Sequence, residues 1–189
     1  MRSTIEFIVI WVGCIYMTCL IVDVHEAFQA KLWQVLQFGW KDLCVSIAAV
    51  PLGLYLTVAL DRLLKITEEQ KEHVKERLLD RLLLTSVGFP EELFVRFALQ
   101  QCFFPLFVRH WNWPDALRSP WLIAFMLGIA FGFGHIRLSI GGAKTVVKTA
   151  IKGVFYGFIV VGTGSLWAVI IAHSWNNGRL AFRKPLKQT

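Results

Sequence analysis

Residues 43–60 read LCVSIAAVPLGLYLTVAL, which is eighteen consecutive positions without a charged side chain. A transmembrane α-helix needs about 20 predominantly apolar residues, with a lower limit near 17. Five other stretches reach or approach this length, so the pattern predicts six membrane spans. The predicted spans are Ile5–Val22, Leu43–Leu60, Leu82–Val108, Trp121–Ile136, Val146–Gly162 and Ser165–Phe182.

Two breaks in these runs predict where helices end and begin. Gly88-Phe89-Pro90 interrupts the third run, and we expect its helix to restart at Pro90, because proline is well tolerated at a first helical position. Gly162-Thr163-Gly164 separates the last two runs and predicts a tight turn between them.

The overall composition also indicates a membrane protein. Hydrophobic residues make up 56% of the 189 positions and charged residues 17%, whereas soluble domains carry about 25% charged residues. A soluble domain of this size could not bury so many apolar side chains. The net charge of +7 resides in basic residues beside apolar runs. These features argue against a soluble enzyme, a nucleic-acid-binding protein and a disordered chain.

Lys and Arg are divided unequally between the two sides that six spans would define. Fifteen of the twenty fall at the N-terminus, in the second and fourth loops or in the C-terminal tail, and four fall on the opposite side. The fifteen include Lys144, Lys148 and Lys152, which this count assigns to the fourth loop. Because loops rich in Lys and Arg stay in the cytoplasm, we predict a multi-pass protein of the cytoplasmic (inner) membrane with both termini cytoplasmic.

The predicted fold class is all-α: a polytopic bundle of about six transmembrane helices with one amphipathic cytoplasmic helix. The charged segment 61–81 holds six acidic and six basic residues, and an apolar pattern at helical spacing runs through its second half to the residue that follows it: Val74, Leu78, Leu79 and Leu82. We expect this segment to lie along the membrane surface. The whole chain, 1–189, is a single membrane domain, in which 1–60 form two N-terminal spans, 82–182 a four-span core and 183–189 a basic cytoplasmic tail.

Few ionisable side chains lie within the predicted spans, and such groups are costly in a bilayer unless they face a cavity or a partner. Glu92 and Arg96 are four residues apart and share a helix face suited to an ion pair, whereas Glu91 points about 100° away from Glu92. His173 and Asn177 also share one face. With the predicted topology, the candidates all fall in the cytoplasmic half of the membrane. The candidate site residues are Glu91, Glu92, Arg96, His135, His173 and Asn177.

Three short motifs contain these residues. Residues 91–96 read EELFVR (EExxxR), residues 131–135 read FGFGH (FxxxH) and residues 173–177 read HSWNN (HxxxN). In this order, on membrane helices, they resemble the motifs of the CPBP family of intramembrane proteases, named after CAAX and bacteriocin processing and formerly called the Abi family. The resemblance covers roughly 82–182. Val95 and Phe97 stand where many members of the family have Phe and Gly.

The resemblance implies a glutamic endopeptidase that needs no cofactor. It makes Glu91 the general base, His135 the residue that helps to hold and polarise the attacking water, and His173 with Asn177 the oxyanion hole. Glu92 and Arg96 become supporting residues, and the four-span core becomes the catalytic part. The implied partners are the lipid bilayer and a membrane-anchored peptide or protein substrate: a prenylated CAAX-like tail, a bacteriocin leader or a C-terminal sorting segment.

Other interpretations stay open at this point. Glu91, Glu92, His135 and His173 could instead ligate zinc, because catalytic zinc usually has three protein ligands and a water. The chain could also be a non-catalytic immunity factor or a small carrier that relays protons. An HExxH zinc motif, a rhomboid-type GxSG motif and an aspartate within a predicted span are all absent from the sequence, which argues against other classes of membrane protease.

Overall fold

A computed structural model describes residues 4–23, 26–66, 78–135 and 142–181 of the chain. The described residues are helical with short connections and contain no β-strand, which confirms the all-α fold class. In chain order the helices are α1 (Thr4–Asp23), α2 (Glu26–Leu36), α3 (Trp40–Leu63), α4 (Leu78–Ser86), α5 (Gly88–Glu92), a π-helix (Leu93–Phe103), α6 (Phe104–His110), a 3₁₀ turn (Asp115–Arg118), α7 (Pro120–Gly134), α8 (Gly142–Thr163) and α9 (Leu166–Ala181).

Two of the described helices, α3 and α8, are long and apolar enough to cross a membrane by length and composition. The other predicted spans coincide with α1, with the nearly continuous helix from α4 to α6, with α7 and with α9. Of these, α7 has 15 residues and α9 has 16, which is short for a complete span. The count of six spans therefore stays a prediction.

The connecting segments differ from the sequence-based prediction in two places. The segment between the first two predicted spans contains α2, which the sequence analysis treated as a loop. Residues 67–77 of the predicted surface helix and residues 183–189, the predicted tail, lie outside the described residues, whereas 61–63 end α3 and 78–81 begin α4. Lys144, Lys148 and Lys152 lie within α8, so their assignment to the fourth loop is wrong.

The break in the third predicted span lies close to its expected place, but the new helix starts two residues earlier, at Gly88. Its first intrahelical hydrogen bond is donated by the N–H of Glu91 to the carbonyl of Val87. Pro90 therefore occupies a first-turn position whose N–H has no helical acceptor, so its missing donor has no cost. Gly88 is needed for packing, because a β-carbon there would lie 2.9 Å from Oγ of Ser174 on α9.

The π-helix follows directly after the two glutamates. At its end, the N–H of Phe104 donates to the carbonyl of Leu99, which is the i→i−5 pattern of this helix type. π-Helical turns are rare and are frequently found at functional sites. Pro105 comes next and cannot donate to the carbonyl of Gln101, and Nζ of Lys31 on α2 lies 3.1 Å from that oxygen.

Helices α7 and α8 cross at glycines on both sides. A β-carbon on Gly132 would lie 2.5 Å from Cβ of Ala150, and one on Gly153 would lie 2.8 Å from the carbonyl oxygen of Gly128. Gly128-x₃-Gly132 and Gly153-x₃-Gly157 are thus two small-residue patterns that let the backbones touch, as is common between membrane helices. These small-residue patterns are visible in the sequence, but the crossing of α7 and α8 was not predicted from them.

The predicted turn between the last two helices is confirmed. Helix α8 ends at Thr163, α9 begins at Leu166, and Gly164 has a φ of +69°, which favours glycine. Asp42 on α3 ties the first turn of its own helix to this connection: its carboxylate accepts hydrogen bonds from the N–H of Gly39 and from Oγ of Ser165. The turn thereby sets α9 against α3 and brings His173 into the interior of the bundle.

Candidate active site

The buried ion pair expected from the spacing of Glu92 and Arg96 is present. Nε of Arg96 donates to Oε2 of Glu92 at 3.0 Å, and the two side chains are 0% and 1% exposed. The guanidinium also donates to the carbonyl of Gly153 at 2.6 Å and to Oε1 of Gln100 at 3.3 Å, while Nε2 of Gln100 donates to the carbonyl of Gly157. The N–H donors of the buried Arg96 guanidinium are therefore shared among several acceptors. The bonds to the carbonyls of α8 also attach the third predicted span to that helix.

Glu92 also fixes the orientation of His173 on α9. Nδ1 of His173 lies 2.7 Å from Oε1 of Glu92, and both side chains are buried. Because Glu92 is paired with Arg96 and its carboxylate is an acceptor, the proton of this bond belongs to Nδ1. The second ring nitrogen, Nε2, then carries a lone pair when the imidazole is neutral and an N–H when it is charged.

Glu91 meets the same imidazole from the other side. Its Oε2 lies 3.8 Å from Nε2 of His173, and Glu91 is buried. From the helical spacing, Glu91 was predicted to point about 100° away from Glu92. Instead the two neighbouring carboxylates face the two nitrogens of one ring, because the ring is inserted between them from α9. Three ionisable groups from two distant segments therefore form one buried cluster.

His135 joins this cluster through Phe131. His135 follows the last residue of α7, and its Nδ1 lies 2.8 Å from the carbonyl oxygen of Phe131. The Phe131 ring is 4.5 Å from the His135 ring and 6.3 Å from the His173 ring, centroid to centroid. With Nδ1 donating to the carbonyl, a neutral His135 presents Nε2 as an acceptor, which suits a bound water.

The two neighbouring asparagines of the third motif differ in their surroundings. Asn176 is buried, and its side-chain amide lies 3.2 Å from Oγ1 of Thr57, whose hydroxyl is also within 2.8 Å of the carbonyl of Gly53. Asn177, the motif residue, is only half-buried. Asn176 thus joins α9 to α3. Asn177 is the next residue and points about 100° further round the helix.

Two further residues, Gln100 and Tyr156, belong to this candidate site but were not predicted from the sequence. Gln100 was detectable, because it is a polar residue within a predicted span, four positions after Arg96 on the same face. Tyr156 on α8 stacks on His173 with ring centroids 5.7 Å apart and an interplanar angle of 30°. In the sequence, Tyr156 is visible only as a polar side chain four positions after Lys152 in an apolar run. That pattern does not indicate that His173 is its neighbour.

The zinc alternative stays open as a prediction, although Glu92 is already engaged by Arg96 and His173. Within the described residues, no group of three His, Cys, Asp or Glu side chains is arranged to hold a metal ion. Ligation through Glu92 would also replace its bonds to Arg96 and His173, leaving a buried cation without its counterion.

A family model described as type II CAAX prenyl endopeptidase, Rce1-like, matches residues 79–179, which is more than half of the chain and contains all six candidate residues. The chain belongs to this family, and the resemblance to CPBP proteases is confirmed. It is therefore a member of a membrane-integral peptidase family that acts on membrane-anchored protein substrates. No curated protein and no solved structure matches the chain.

Proposed function

We propose that this protein is an intramembrane glutamic endopeptidase that hydrolyses a peptide bond of a membrane-anchored peptide or protein without a metal ion. The observation that carries the proposal is the cluster of Glu91, His173 and Glu92, in which Glu91 faces the nitrogen of His173 that Glu92 leaves available. A buried carboxylate beside an oriented imidazole is suited to general acid–base chemistry.

Glu91 acts as the general base in this proposal. Hydrolysis without a nucleophilic Ser or Cys requires an activated water, a group that takes its proton and donors for the developing oxyanion. Glu91 takes the proton as the water attacks the carbonyl carbon and then delivers it to the leaving amine. His135 holds the water through Nε2, because its Nδ1 faces the backbone carbonyl of Phe131.

His173 and Asn177 supply the oxyanion hole. Because the Nδ1 proton of His173 is engaged by Glu92, His173 can donate to substrate only from Nε2 and therefore only as the imidazolium. The side-chain amide of Asn177, one helical turn further along α9, provides the second donor. Preorganised donors of this kind commonly contribute the largest single part of the rate enhancement.

Glu92 and Arg96 have a supporting role. Their ion pair holds Nδ1 of His173 and anchors to the carbonyl of Gly153, so these two residues fix the oxyanion donor without reaching the substrate. The substrate classes that fit are a CAAX-type tail, a bacteriocin-type leader and a C-terminal sorting signal. The site opens to the cytoplasmic face of the inner membrane, with both termini on that side, as the distribution of Lys and Arg indicates.

The experiment that tests this proposal is cleavage of a panel of lipid-anchored reporter peptides by the purified full chain in detergent. Glu91→Gln keeps the size of the side chain and removes the base, so we expect kcat to fall by roughly 10²–10⁴-fold. Glu26→Gln, on the exposed face of α2, is the matched control and should cleave like the wild type. A tight zinc chelator should leave wild-type cleavage unchanged.

The other outcomes of this experiment are equally informative. Cleavage that the chelator abolishes would replace glutamate chemistry by the zinc alternative. Cleavage that survives in Glu91→Gln would show that another group is the base. If the wild type cleaves nothing and cells carrying Glu91→Gln behave like the wild type, the enzymatic proposal is wrong, and the immunity factor or carrier would then explain the buried charges.

A further inference from the structure

Tyr156 lies against the site, but none of the proposed chemical steps uses it. It is 1% exposed, and its ring lies nearly parallel to the imidazole of His173. Its hydroxyl is buried and has no hydrogen-bond partner among the described residues. A buried hydroxyl without a partner costs about 1–3 kcal/mol, so a tyrosine at this position calls for an explanation.

The imidazole of His173 is held in its plane by contacts of two kinds. Glu92 holds Nδ1 by a hydrogen bond, but a single hydrogen bond leaves the imidazole able to tilt by concerted rotation about the Cα–Cβ and Cβ–Cγ bonds of His173. Tyr156 covers one face, and Phe131 approaches edge-on with an interplanar angle of 86°. Aromatic pairs in these geometries are favourable, so the Tyr156 ring opposes the remaining rotation.

Tyr156 is itself held from behind by α3. A β-carbon on Gly53 would lie 3.2 Å from the Tyr156 hydroxyl and 3.6 Å from its Cε1, so the phenol ring ends against the backbone of α3. Nζ of Lys152, one turn earlier on α8, lies 5.9 Å from the centroid of the same ring. The ring therefore has little room to move, and any displacement of it would reach His173.

We infer that Tyr156 is a positioning residue, whose ring holds His173 so that Nε2 points towards the carbonyl oxygen of the substrate. The inference rests on the proposed function, because it gives Tyr156 a role through the oxyanion donor. The ring performs this role, and the hydroxyl does not take part. Tyr156→Phe should therefore keep kcat near that of the wild type, and it should raise the melting temperature by removing an unpaired buried hydroxyl.

Tyr156→Leu removes the ring and keeps a side chain of apolar character. Because misplacement of a reacting group by about 1 Å can cost 10²-fold in rate, we expect kcat to fall by roughly that factor with little change in KM. Equal losses of kcat and kcat/KM identify an interaction made in the transition state. Phe158→Leu is the matched control, because Phe158 lies on the same helix but packs on Trp121, and it should lower stability without lowering kcat.

A second pair of variants tests the same inference without removing the ring. Gly53→Ala brings a β-carbon against the hydroxyl of Tyr156 and displaces the ring from its place against His173, so kcat should fall by about tenfold. Combining Gly53→Ala with Tyr156→Phe removes the hydroxyl and leaves ordinary van der Waals contacts, so kcat should recover. A contact that only stabilises the fold would give no such recovery of kcat.

The outcomes separate this inference from the proposed function. If the wild type cleaves, Glu91→Gln does not, and Tyr156→Leu keeps the wild-type kcat, the positioning role is wrong and the glutamate mechanism stands. If Tyr156→Phe loses as much kcat as Tyr156→Leu, the hydroxyl carries the effect, and the inference about the ring is again overturned. If Glu91→Gln cleaves normally, the proposed function itself has failed.

Discussion

His173 is the residue on which the other groups of the site converge. Its two nitrogens face the carboxylates of Glu91 and Glu92, which are neighbours in the chain but have different surroundings. Glu92 is held by Arg96 and serves the fold, whereas Glu91 remains beside the nitrogen that faces the proposed reaction. A difference of environment between two adjacent carboxylates is the usual way in which one becomes a base and the other a support.

Asn176 and Asn177 allow a test of function against stability at adjacent positions. Asn177→Ala removes the second proposed oxyanion donor, so we expect kcat to fall by roughly 10²–10³-fold with little change in the melting temperature. Asn176→Ala removes the contact with Thr57, and polar contacts between membrane helices are worth about 0.6 kcal/mol on average. It should lower the melting temperature slightly and keep kcat. Peptide cleavage and thermal unfolding in detergent check both; the reverse pattern would assign the oxyanion donor to Asn176.

At the residue scale, the sequence predicts contacts within one helix better than contacts between helices. The spacing of Glu92 and Arg96 was sufficient for their ion pair, because side chains four apart share a face on any helix. The contact of Glu92 with His173 spans 81 positions, and the stacking of Tyr156 depends on how α8 is rotated. Neither contact follows from a local sequence pattern. From the sequence, only the resemblance to known motifs indicated that Glu92 and His173 belong to one site.

At the scale of elements, the crossing of α7 and α8 determines where the carbonyls of Gly153 and Gly157 lie. Arg96 and Gln100 donate to these two oxygens. The side chains that hold the candidate active site in place are therefore anchored to the backbone of α8. Glycines on both helices permit this close approach. The crossing is therefore a structural requirement of the buried Arg96, as well as a packing feature.

A β-carbon at this crossing should separate the two helices. Gly132→Ala would place its β-carbon within 2.8 Å of the Ala150 backbone, so we expect a loss of about 1–3 kcal/mol of stability and a parallel loss of kcat. Gly134→Ala is the matched control on the same helix, because a β-carbon there has no atom within 4 Å. Thermal unfolding and cleavage rates measure both effects. Equal stability of the two variants would contradict the close crossing.

Several element boundaries depended on physical details that sequence patterns do not contain. Pro90 was a reasonable first helical residue, but the helix starts at Gly88, because any of the first-turn positions tolerates a missing N–H. Helix α2 was missed because its 11 residues are too few and too polar to resemble a span. The turn at Gly162-Thr163-Gly164 was predictable, since a glycine with positive φ is a local requirement.

At the scale of the whole molecule, the predicted orientation can be tested with reporters that work on one side of the membrane only. Without the three lysines of α8, twelve basic residues against four still favour cytoplasmic termini, and the stretch near Asn112 should then face the opposite side. A fluorescent protein fused to the C-terminus should fluoresce, and a phosphatase that needs the oxidising side should be active when it is inserted after Asn112. Fusions in which the two reporters are exchanged are the matched controls, and the opposite pattern would invert the proposed access to the site.

The fold class was predictable from composition alone, whereas the number of spans was not. A chain with 56% hydrophobic and 17% charged residues has few alternatives to a membrane bundle. Helices such as α7 and α9 are shorter than a full span, and their neighbours decide how deep they lie. The presence of a site was predictable from the cost of buried charges, but its geometry required the rotation of each helix.

The link between Glu92 and His173 has a consequence for the biosynthesis of the protein. The ribosome adds about 5–20 residues per second, so the 81 positions between these residues take roughly 4–16 s to synthesise. During this interval Glu92 already has Arg96 within its own helix, and Arg96 has Gln100, so the charges can enter the membrane as a neutralised group. The proposed oxyanion donor, His173, is added only with α9. A nascent chain therefore carries the proposed base for several seconds before His173 is available to complete the proposed catalytic centre.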